Sequence, residues 1–373
     1  MNGAAGEARR LPAIDVMRGI VMVLMALDHS SEAFNKGRLF TDAAQFYHRG
    51  TELPAAQFFI RWVTHLCAPT FLFLAGTALA LSIAKQRARG ESERSIDVHL
   101  IVRGLFIWAC ELWISYFVMP PGMFVFQVLY AIGTSYLLMV PLRRVPVSAA
   151  LGLAVAWIVL GEALVGLATR AQPTSLPASL LIVGGKPGSV IVAYPTLHWL
   201  ALMLLGWVWG QHLLTRKPSA DRIARELLVA GAALLVVFLG VRGLNAYGNM
   251  MLLRDDGSLV QWLHVGKYPP ALSYVSLELA VMCACLSACF WLGERRPLEQ
   301  NHVLLVLGQT PMLFYLLHFP LLVVSAHALG VKHRLGIGGA LLGALGAVLL
   351  LYPVCRAYRV YKAAHPGGIA RLI

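Results

Sequence analysis

Apolar stretches recur along the whole chain and are separated by short polar segments. A helix of about 20 apolar residues crosses a hydrocarbon core about 30 Å thick, and this chain contains ten stretches of that kind. They predict ten transmembrane helices at residues 15–34, 58–84, 100–118, 123–142, 147–168, 195–214, 227–246, 271–293, 304–329 and 337–358. The predicted fold class is therefore all-α, a polytopic integral membrane protein.

Composition excludes a soluble domain. The 373 residues are 58% hydrophobic and 13% charged, whereas soluble domains average about 25% charged residues. The first apolar stretch contains Asp15 and Arg18 near its start and ends in polar residues, without a small-residue cleavage site. We therefore predict a retained helix rather than a cleaved signal peptide.

The chain contains no linker long enough to separate domains, so we expect one membrane domain over residues 1–373 with the lipid bilayer as its main partner. Its six cysteines form no paired ligand spacing, and we expect neither disulfides nor a metal site. They are Cys67, Cys110, Cys283, Cys285, Cys289 and Cys355.

The basic residues predict the orientation, because cytoplasmic loops of membrane proteins carry an excess of Lys and Arg. With the N-terminus inside, cytoplasmic segments hold 18 of the 31 basic residues and external loops hold nine. We therefore expect a multi-pass protein of the cytoplasmic (inner) membrane with both termini in the cytoplasm. The net charge of +13 is divided among short loops, so topology explains it better than nucleic-acid binding does.

Ionisable residues inside a bilayer are unfavourable, so those that remain are candidates for function. On the first predicted helix, Arg18 and His29 lie 11 residues apart. This spacing puts them within about 20° on one face, with Met22 and Met25 between them. The rise along the helix places His29 in the outer half of the membrane.

On the second predicted helix, His65 lies at a depth similar to that of His29, and the two histidines are expected to face each other. Asp28 adjoins His29, and Arg61 is one helical turn from His65. Histidine suits general-base chemistry. The same cluster also fits a structural hydrogen-bond network, or a proton relay in a transporter.

Other intramembrane polar residues are isolated along the sequence, and for each we favour a packing or hydrogen-bonding role. They are Glu111, Glu162, Glu278 and His318. Arg242 lies near the external end of its predicted helix, where its side chain is expected to reach the membrane surface.

The chain resembles the bacterial members of the heparan-α-glucosaminide N-acetyltransferase catalytic-domain family, within the transmembrane acyltransferase superfamily. The resemblance extends over nearly the whole chain. It is carried by Arg10-x-x-x-Ile14-Asp15-x-x-Arg18-Gly19 with Leu24 to His29, Arg61 to Thr77, Tyr194-Pro195 with Trp199, Lys267 to Leu272, and Gly308 to Tyr315 leading to His318.

The resemblance implies transfer of an acyl group, commonly acetyl, from cytoplasmic acyl-CoA to an extracytoplasmic amine or hydroxyl, such as one on a glycan. Acetyl-CoA or another acyl-CoA would be the donor, with Arg18 and Arg103 binding its phosphates. His29 and His65, with Asp28, would carry the acid–base chemistry, and Arg61 or a neighbouring N–H would stabilise the oxyanion.

The acceptor is expected to contact Lys267, Tyr268 and His318, although Lys267 and Tyr268 fit a proline-fixed loop cap equally well. The chain departs from the family pattern at His198-Trp199, where a Pro-Trp pair is usual. It also lacks the extra helix and the long luminal region of the animal lysosomal members, which argues against heparan as the acceptor.

Two other classes of function fit the residues. The His, Asp and Arg cluster could serve a proton-coupled transporter or exporter, and a non-catalytic membrane scaffold is a third class. Binding of CoA distinguishes the transferase from both. The sequence leaves open direct transfer or an acyl-enzyme intermediate, and also leaves open a homodimer.

Overall fold

The computed structural model describes residues 11–170 and 174–365, in which nearly all regular structure is α-helical. The helices are α1 (Pro12–Phe34), α2 (Ala55–Val63), α3 (Cys67–Ala88), α4 (Glu93–Val118), α5 (Val128–Leu142), α6 (Val147–Ala168), α7 (Leu176–Ala178), α8 (Thr196–Arg216), α9 (Ala220–Leu244), α10 (Leu259–Leu263), α11 (Leu272–Arg295), α12 (Val303–Gln309), α13 (Pro311–Ala328) and α14 (Ile337–Ala364). Short strands β1 (Phe124–Phe126) and β2 (Val190–Val192) pair in parallel. The all-α fold class is confirmed.

Helix occupies each of the ten predicted stretches, but the number of ten transmembrane helices is not confirmed. Within the described residues, seven helices are long and apolar enough to cross a membrane. Helices α1, α5 and α8 are outside that set. Helix α5 has only 15 residues, and α1 carries Asp15, Arg18, Asp28 and Glu32 along its length. The charged residues that make α1 a candidate for function thus also lower its hydropathy.

Glycine pairs bring two pairs of helices into backbone contact. A Cβ at Gly76 of α3 would lie 1.9 Å from the Met203 carbonyl oxygen, and one at Gly206 of α8 would lie 1.8 Å from that of Phe73. Gly19 of α1 and Gly308 of α12 make the same reciprocal approach. Helix α1 also contacts α3, α11, α13 and α14, so the helix that bears Arg18 and His29 lies at the centre of the bundle.

The predicted second helix is interrupted. A 3-10 turn at Thr64–Leu66 separates α2 from α3, and it contains His65. Residues 304–329 are likewise divided, because α12 ends at Gln309 and α13 begins at Pro311. Both breaks lie close to functional candidates.

Two loops fold over the end of the bundle that is predicted to be external. Residues 35–54 and 245–271 are joined by hydrogen bonds, among them Lys267 N–H to the Asp42 carbonyl at 2.7 Å and the Tyr47 hydroxyl to the Asp255 carboxylate at 2.6 Å. His264 Nε2 lies 2.8 Å from the Thr41 carbonyl. The two loops together form one cap over the bundle.

The expectation that Arg242 reaches the membrane surface is wrong. Its side chain is fully buried and donates hydrogen bonds to backbone carbonyls of the second cap loop, because that loop folds back over the end of α9. The acceptors are the carbonyls of Leu252, Gln261, Trp262 and His264. Arg242 therefore shapes the cap from inside.

Two of the isolated glutamates have the hydrogen-bonding role expected of them. Glu111 accepts a bond from the Tyr130 backbone N–H at 2.7 Å. Glu162 accepts from the N–H groups of Gly248 and Met250, at 2.6 and 3.0 Å. These carboxylates satisfy backbone donors at the start of α5 and after α9.

Candidate active site

His29 of α1 pairs with His318 of α13. Nδ1 of His29 lies 2.8 Å from Nε2 of His318, and both rings are buried. The expected partner, His65, contacts Asp42 instead, with its Nε2 3.3 Å from the carboxylate. The expectation that His29 and His65 face each other is therefore replaced by a His29–His318 pair, and His318 is not isolated.

The hydrogen bonds assign a tautomer to each neutral ring of this pair. His318 Nδ1 lies 2.8 Å from the Phe314 carbonyl, which can only accept, so Nδ1 carries the proton. His318 Nε2 then accepts, and His29 Nδ1 donates to it. Nε2 of His29 is left with a lone pair, which is the form of histidine that acts as a general base.

His318 was expected to bind the acceptor, but both of its ring nitrogens are engaged, one by His29 and one by Phe314. Its ring is completely buried, stacked on Phe314 with centroids 4.9 Å apart. This geometry suits the positioning of His29 better than contact with a substrate.

Arg61 binds two carboxylates at once. Its Nη1 lies 2.6 Å from Asp28, its Nε donates to Asp42 at 2.7 Å, and its Nη2 lies 3.3 Å from the Tyr268 hydroxyl. Arg38 also reaches Asp28, at 2.9 Å. The expected cluster of Asp28, Arg61 and His65 thus exists, and Asp42 from the cap connects its parts.

Asp42 remains ionised although it is buried. Burial alone would raise the pKa of the Asp42 carboxyl, but the charge of Arg61 and the contact with His65 outweigh it, and the pKa lies well below its ordinary value. The cap therefore carries a fixed negative charge into the cluster.

A cavity of about 670 Å³ runs along α1 from the end predicted to be cytoplasmic. Arg18, Met22 and Met25 of the predicted stripe along α1 line it, whereas His29 does not. We call it the donor cavity, after the acyl-CoA donor that the family resemblance implies. The basic residues that line it are Arg18, Lys85, Arg103, Arg359 and Lys362. Arg18 also contacts Asp15 and the Leu74 carbonyl, each at 3.3 Å.

A second cavity of about 20 Å³, the inner cavity, lies beside His29. Met25, Val128 and Tyr315 line both cavities, so the two meet there. Asp28, His29 and Lys267 are among the lining residues of the inner cavity, as are Gln127 and Tyr194. Among the described residues, Arg61 and His65 line neither cavity. They lie behind residues that line the inner cavity, such as Asp28.

Lys267 lies inside the protein rather than on the external surface, and Tyr268 is half-buried beside it. Lys267 is only 2% exposed, and its Nζ lies 5.2 Å from the centroid of the Tyr268 ring. Any contact between an acceptor and Lys267 would therefore occur within the inner cavity, beneath the cap.

Sequence reasoning missed Asp42, Gln127 and Tyr315. Asp42 lies in a loop that has no helical periodicity, and Tyr315 appeared only within the family-like segment before His318. In the described part of the chain, no group of three or more His, Cys, Asp or Glu residues is arranged to hold a metal ion.

The chain matches the model of a known protein family. The family model described as "Heparan-alpha-glucosaminide N-acetyltransferase, catalytic" matches residues 10–248, well over half of the chain. The first residue of the quoted motif, Arg10, belongs to that match but lies outside the described residues. No curated protein matches the chain.

Proposed function

We propose that this chain, which belongs to the heparan-α-glucosaminide N-acetyltransferase catalytic family, transfers an acetyl group from cytoplasmic acetyl-CoA to an extracytoplasmic amine or hydroxyl. The family supports a membrane acetyltransferase. The donor, the acceptor and the direction of transfer are our inference. One observation carries it, namely the donor cavity, which has a basic mouth and narrows at its inner end beside His29.

The basic lining of the donor cavity suits a nucleotide with several phosphates. Arginine binds phosphate oxygens in a fixed fork, and lysine contributes a further positive charge. Arg18 and Arg103 lie on α1 and α4, while Arg359 and Lys362 lie on α14. A volume of about 670 Å³ falls in the range of pockets that bind ligands of moderate size, about 300–1,000 Å³.

His29 is the proposed general base. Its Nε2 takes the proton from the acceptor as the acceptor nitrogen or oxygen bonds to the thioester carbonyl carbon. The tetrahedral intermediate collapses with cleavage of the carbon–sulfur bond, and the CoA thiolate takes the proton back from His29. His318 keeps the His29 ring in the basic tautomer, and Asp28 favours the imidazolium that forms transiently.

The acceptor is proposed to enter from the cap side and to meet Lys267 in the inner cavity, with Tyr268 beside Lys267. Arg61 contacts Asp28, which lines the inner cavity, and also Asp42, while His65 contacts only Asp42 of these two carboxylates. They are proposed as positioning residues, because neither lines a cavity among the described residues.

The proposal is tested by acetyl-CoA binding to the purified protein. A ligand that binds only the folded state stabilises it by RT ln(1 + [L]/Kd), about 2.7 kcal/mol at a concentration of 100 times Kd. We expect acetyl-CoA to raise the melting temperature, and Arg18→Ala or Arg103→Ala to weaken that rise.

Arg225→Ala is the matched control, because Arg225 is an exposed cation near the same end of the bundle and lies outside the donor cavity. It should leave the stabilisation by acetyl-CoA unchanged. A melting curve that CoA esters of every acyl length leave unmoved would favour the transporter or the scaffold instead.

A further inference from the structure

Tyr315 lies where the donor cavity meets the inner cavity. Among the described residues, only Met25, Val128 and Tyr315 line both spaces. The side chains of Met25 and Val128 have no hydrogen-bond donor. Tyr315 is therefore the one residue of the three whose side chain can donate a hydrogen bond to a group that bridges the cavities.

The Tyr315 hydroxyl is buried and has no hydrogen-bond partner among the described residues. A buried hydroxyl that makes no hydrogen bond is unfavourable, and each such group in a folded protein requires an explanation. The ring of Tyr315 contacts that of His29, with centroids 5.9 Å apart and planes at 74°. The ring that carries the unpaired hydroxyl is thus held against the ring of the proposed base.

Arg61, one of the two alternatives that the resemblance implied for stabilising the oxyanion, is poorly placed for that task. All three of its side-chain nitrogens already contact Asp28, Asp42 or the Tyr268 hydroxyl. It also lines neither cavity among the described residues. A charge that develops on the thioester oxygen would need a donor nearer to the junction.

We propose that the Tyr315 hydroxyl donates a hydrogen bond to the thioester carbonyl oxygen of bound acyl-CoA and to the oxyanion that follows. This inference rests on the proposed transferase function. As the acceptor bonds to the carbonyl carbon, its proton passes to His29 and the carbonyl π electrons move to the oxygen, where Tyr315 stabilises them. When the carbon–sulfur bond breaks, the carbonyl reforms, and Tyr315 keeps its own proton throughout.

Tyr315→Phe tests this directly because it removes only the hydroxyl. Infrared difference spectra of bound acetyl-CoA, isotopically labelled at the carbonyl carbon, report the strength of the hydrogen bond to that oxygen. We expect the carbonyl band to lie at lower frequency in the wild type than in Tyr315→Phe. With glucosamine as the acceptor probe, release of CoA should slow by about 10²–10³-fold, the usual effect of removing one oxyanion donor.

Tyr130→Phe is the matched control. Tyr130 is also a buried tyrosine, but its hydroxyl donates to the Leu180 carbonyl and it lines neither cavity among the described residues. It should leave the carbonyl band at its wild-type frequency. The ligand-free melting temperature provides a second check, because Tyr315→Phe removes a hydroxyl without a partner and should not lower it.

Acetyl-CoA binding and the infrared spectra together distinguish a failure of the role proposed for Tyr315 from a failure of the proposed transferase function. If Tyr315→Phe binds acetyl-CoA as the wild type does and shows the same carbonyl band, Tyr315 has no such role and the transferase proposal stands. If the wild-type protein does not bind acetyl-CoA, both proposals fail. The infrared measurement decides the role of Tyr315 even if glucosamine is not accepted.

Discussion

His29 and His318 are 289 residues apart in sequence, yet their facing ring nitrogens lie 2.8 Å apart across α1 and α13. This contact joins the helix that lines the donor cavity to the helix that carries Tyr315. It also gives His29 a fixed ring orientation, because Nδ1 is committed to His318.

Replacing the proposed base should stop turnover without preventing donor binding. We expect His29→Ala to lower the rate of acetyl transfer by about 10²–10⁴-fold, the usual contribution of a positioned acid or base. Single-turnover CoA release and stabilisation by acetyl-CoA should be measured on the same preparation. His327→Ala, on the exposed part of α13, is the control and should retain the wild-type rate. Normal transfer by a folded His29→Ala protein would remove His29 from the mechanism.

Arg61 should matter more for folding than for donor binding. Arg61→Met leaves Asp28 and Asp42 without their shared cation, and breaking a buried ion pair typically destabilises a protein by about 3–5 kcal/mol. Folded yield and melting temperature should both fall. Arg87→Met removes the exposed pair with Glu93 and should change neither, since such pairs contribute little. If folded yield and melting temperature fell equally in the two variants, the buried ion pairs of Arg61 would contribute no more to stability than the exposed pair of Arg87 does.

The charge on Asp42 predicts a pH dependence of stability. The pKa of the Asp42 carboxyl is lower in the folded protein than in the unfolded chain. The carboxylate therefore stabilises the fold at pH values above the unfolded-state pKa of about 3.9. This stabilisation is lost as the pH falls below that value toward the folded-state pKa. Asp42→Asn should lower the melting temperature near neutral pH, and the difference from wild type should shrink below about pH 4. A difference that stays constant as the pH falls would show that ionisation of Asp42 does not stabilise the fold.

The glycine contact between α3 and α8 should tolerate no side chain. Gly76→Ala places a methyl group 1.9 Å from the Met203 carbonyl oxygen, so the helices must separate. Overpacking of this kind typically destabilises a protein by about 1–3 kcal/mol. Gly152→Ala, on α6 with nothing within 4 Å of the added carbon, is the matched control and should be tolerated. Melting temperatures of the two variants give the comparison.

The predicted orientation can be tested by labelling with a membrane-impermeant maleimide. Glu52→Cys, in the first loop of the cap, should react from outside intact cells, whereas Arg94→Cys should react only after the membrane is opened. Both positions are exposed, and the unsubstituted protein controls for its own cysteines. The opposite pattern would invert the topology and place the basic mouth of the donor cavity outside the cell.

The sequence predicted correctly those relationships in which the side chains lie on the same helix. The placement of Arg18, Met22 and Met25 along one cavity follows from helical periodicity, since all three lie on α1. Contacts between distant elements could not be obtained in this way. Asp42 reaches Arg61 only because its loop folds inward, and His318 meets His29 only because α13 packs beside α1. The 3-10 turn at Thr64–Leu66 is also invisible to a hydropathy pattern, since both halves are apolar.

The unequal size of the two cavities has a consequence for the membrane itself. The donor cavity is about 670 Å³, whereas the inner cavity, at about 20 Å³, has room for about one water molecule. A continuous file of water would conduct protons and dissipate the ion gradients that a cell maintains across its envelope. An inner cavity of that size has no room for such a file beside His29. We therefore expect the donor cavity to admit its ligand without opening a path for water and protons through the protein.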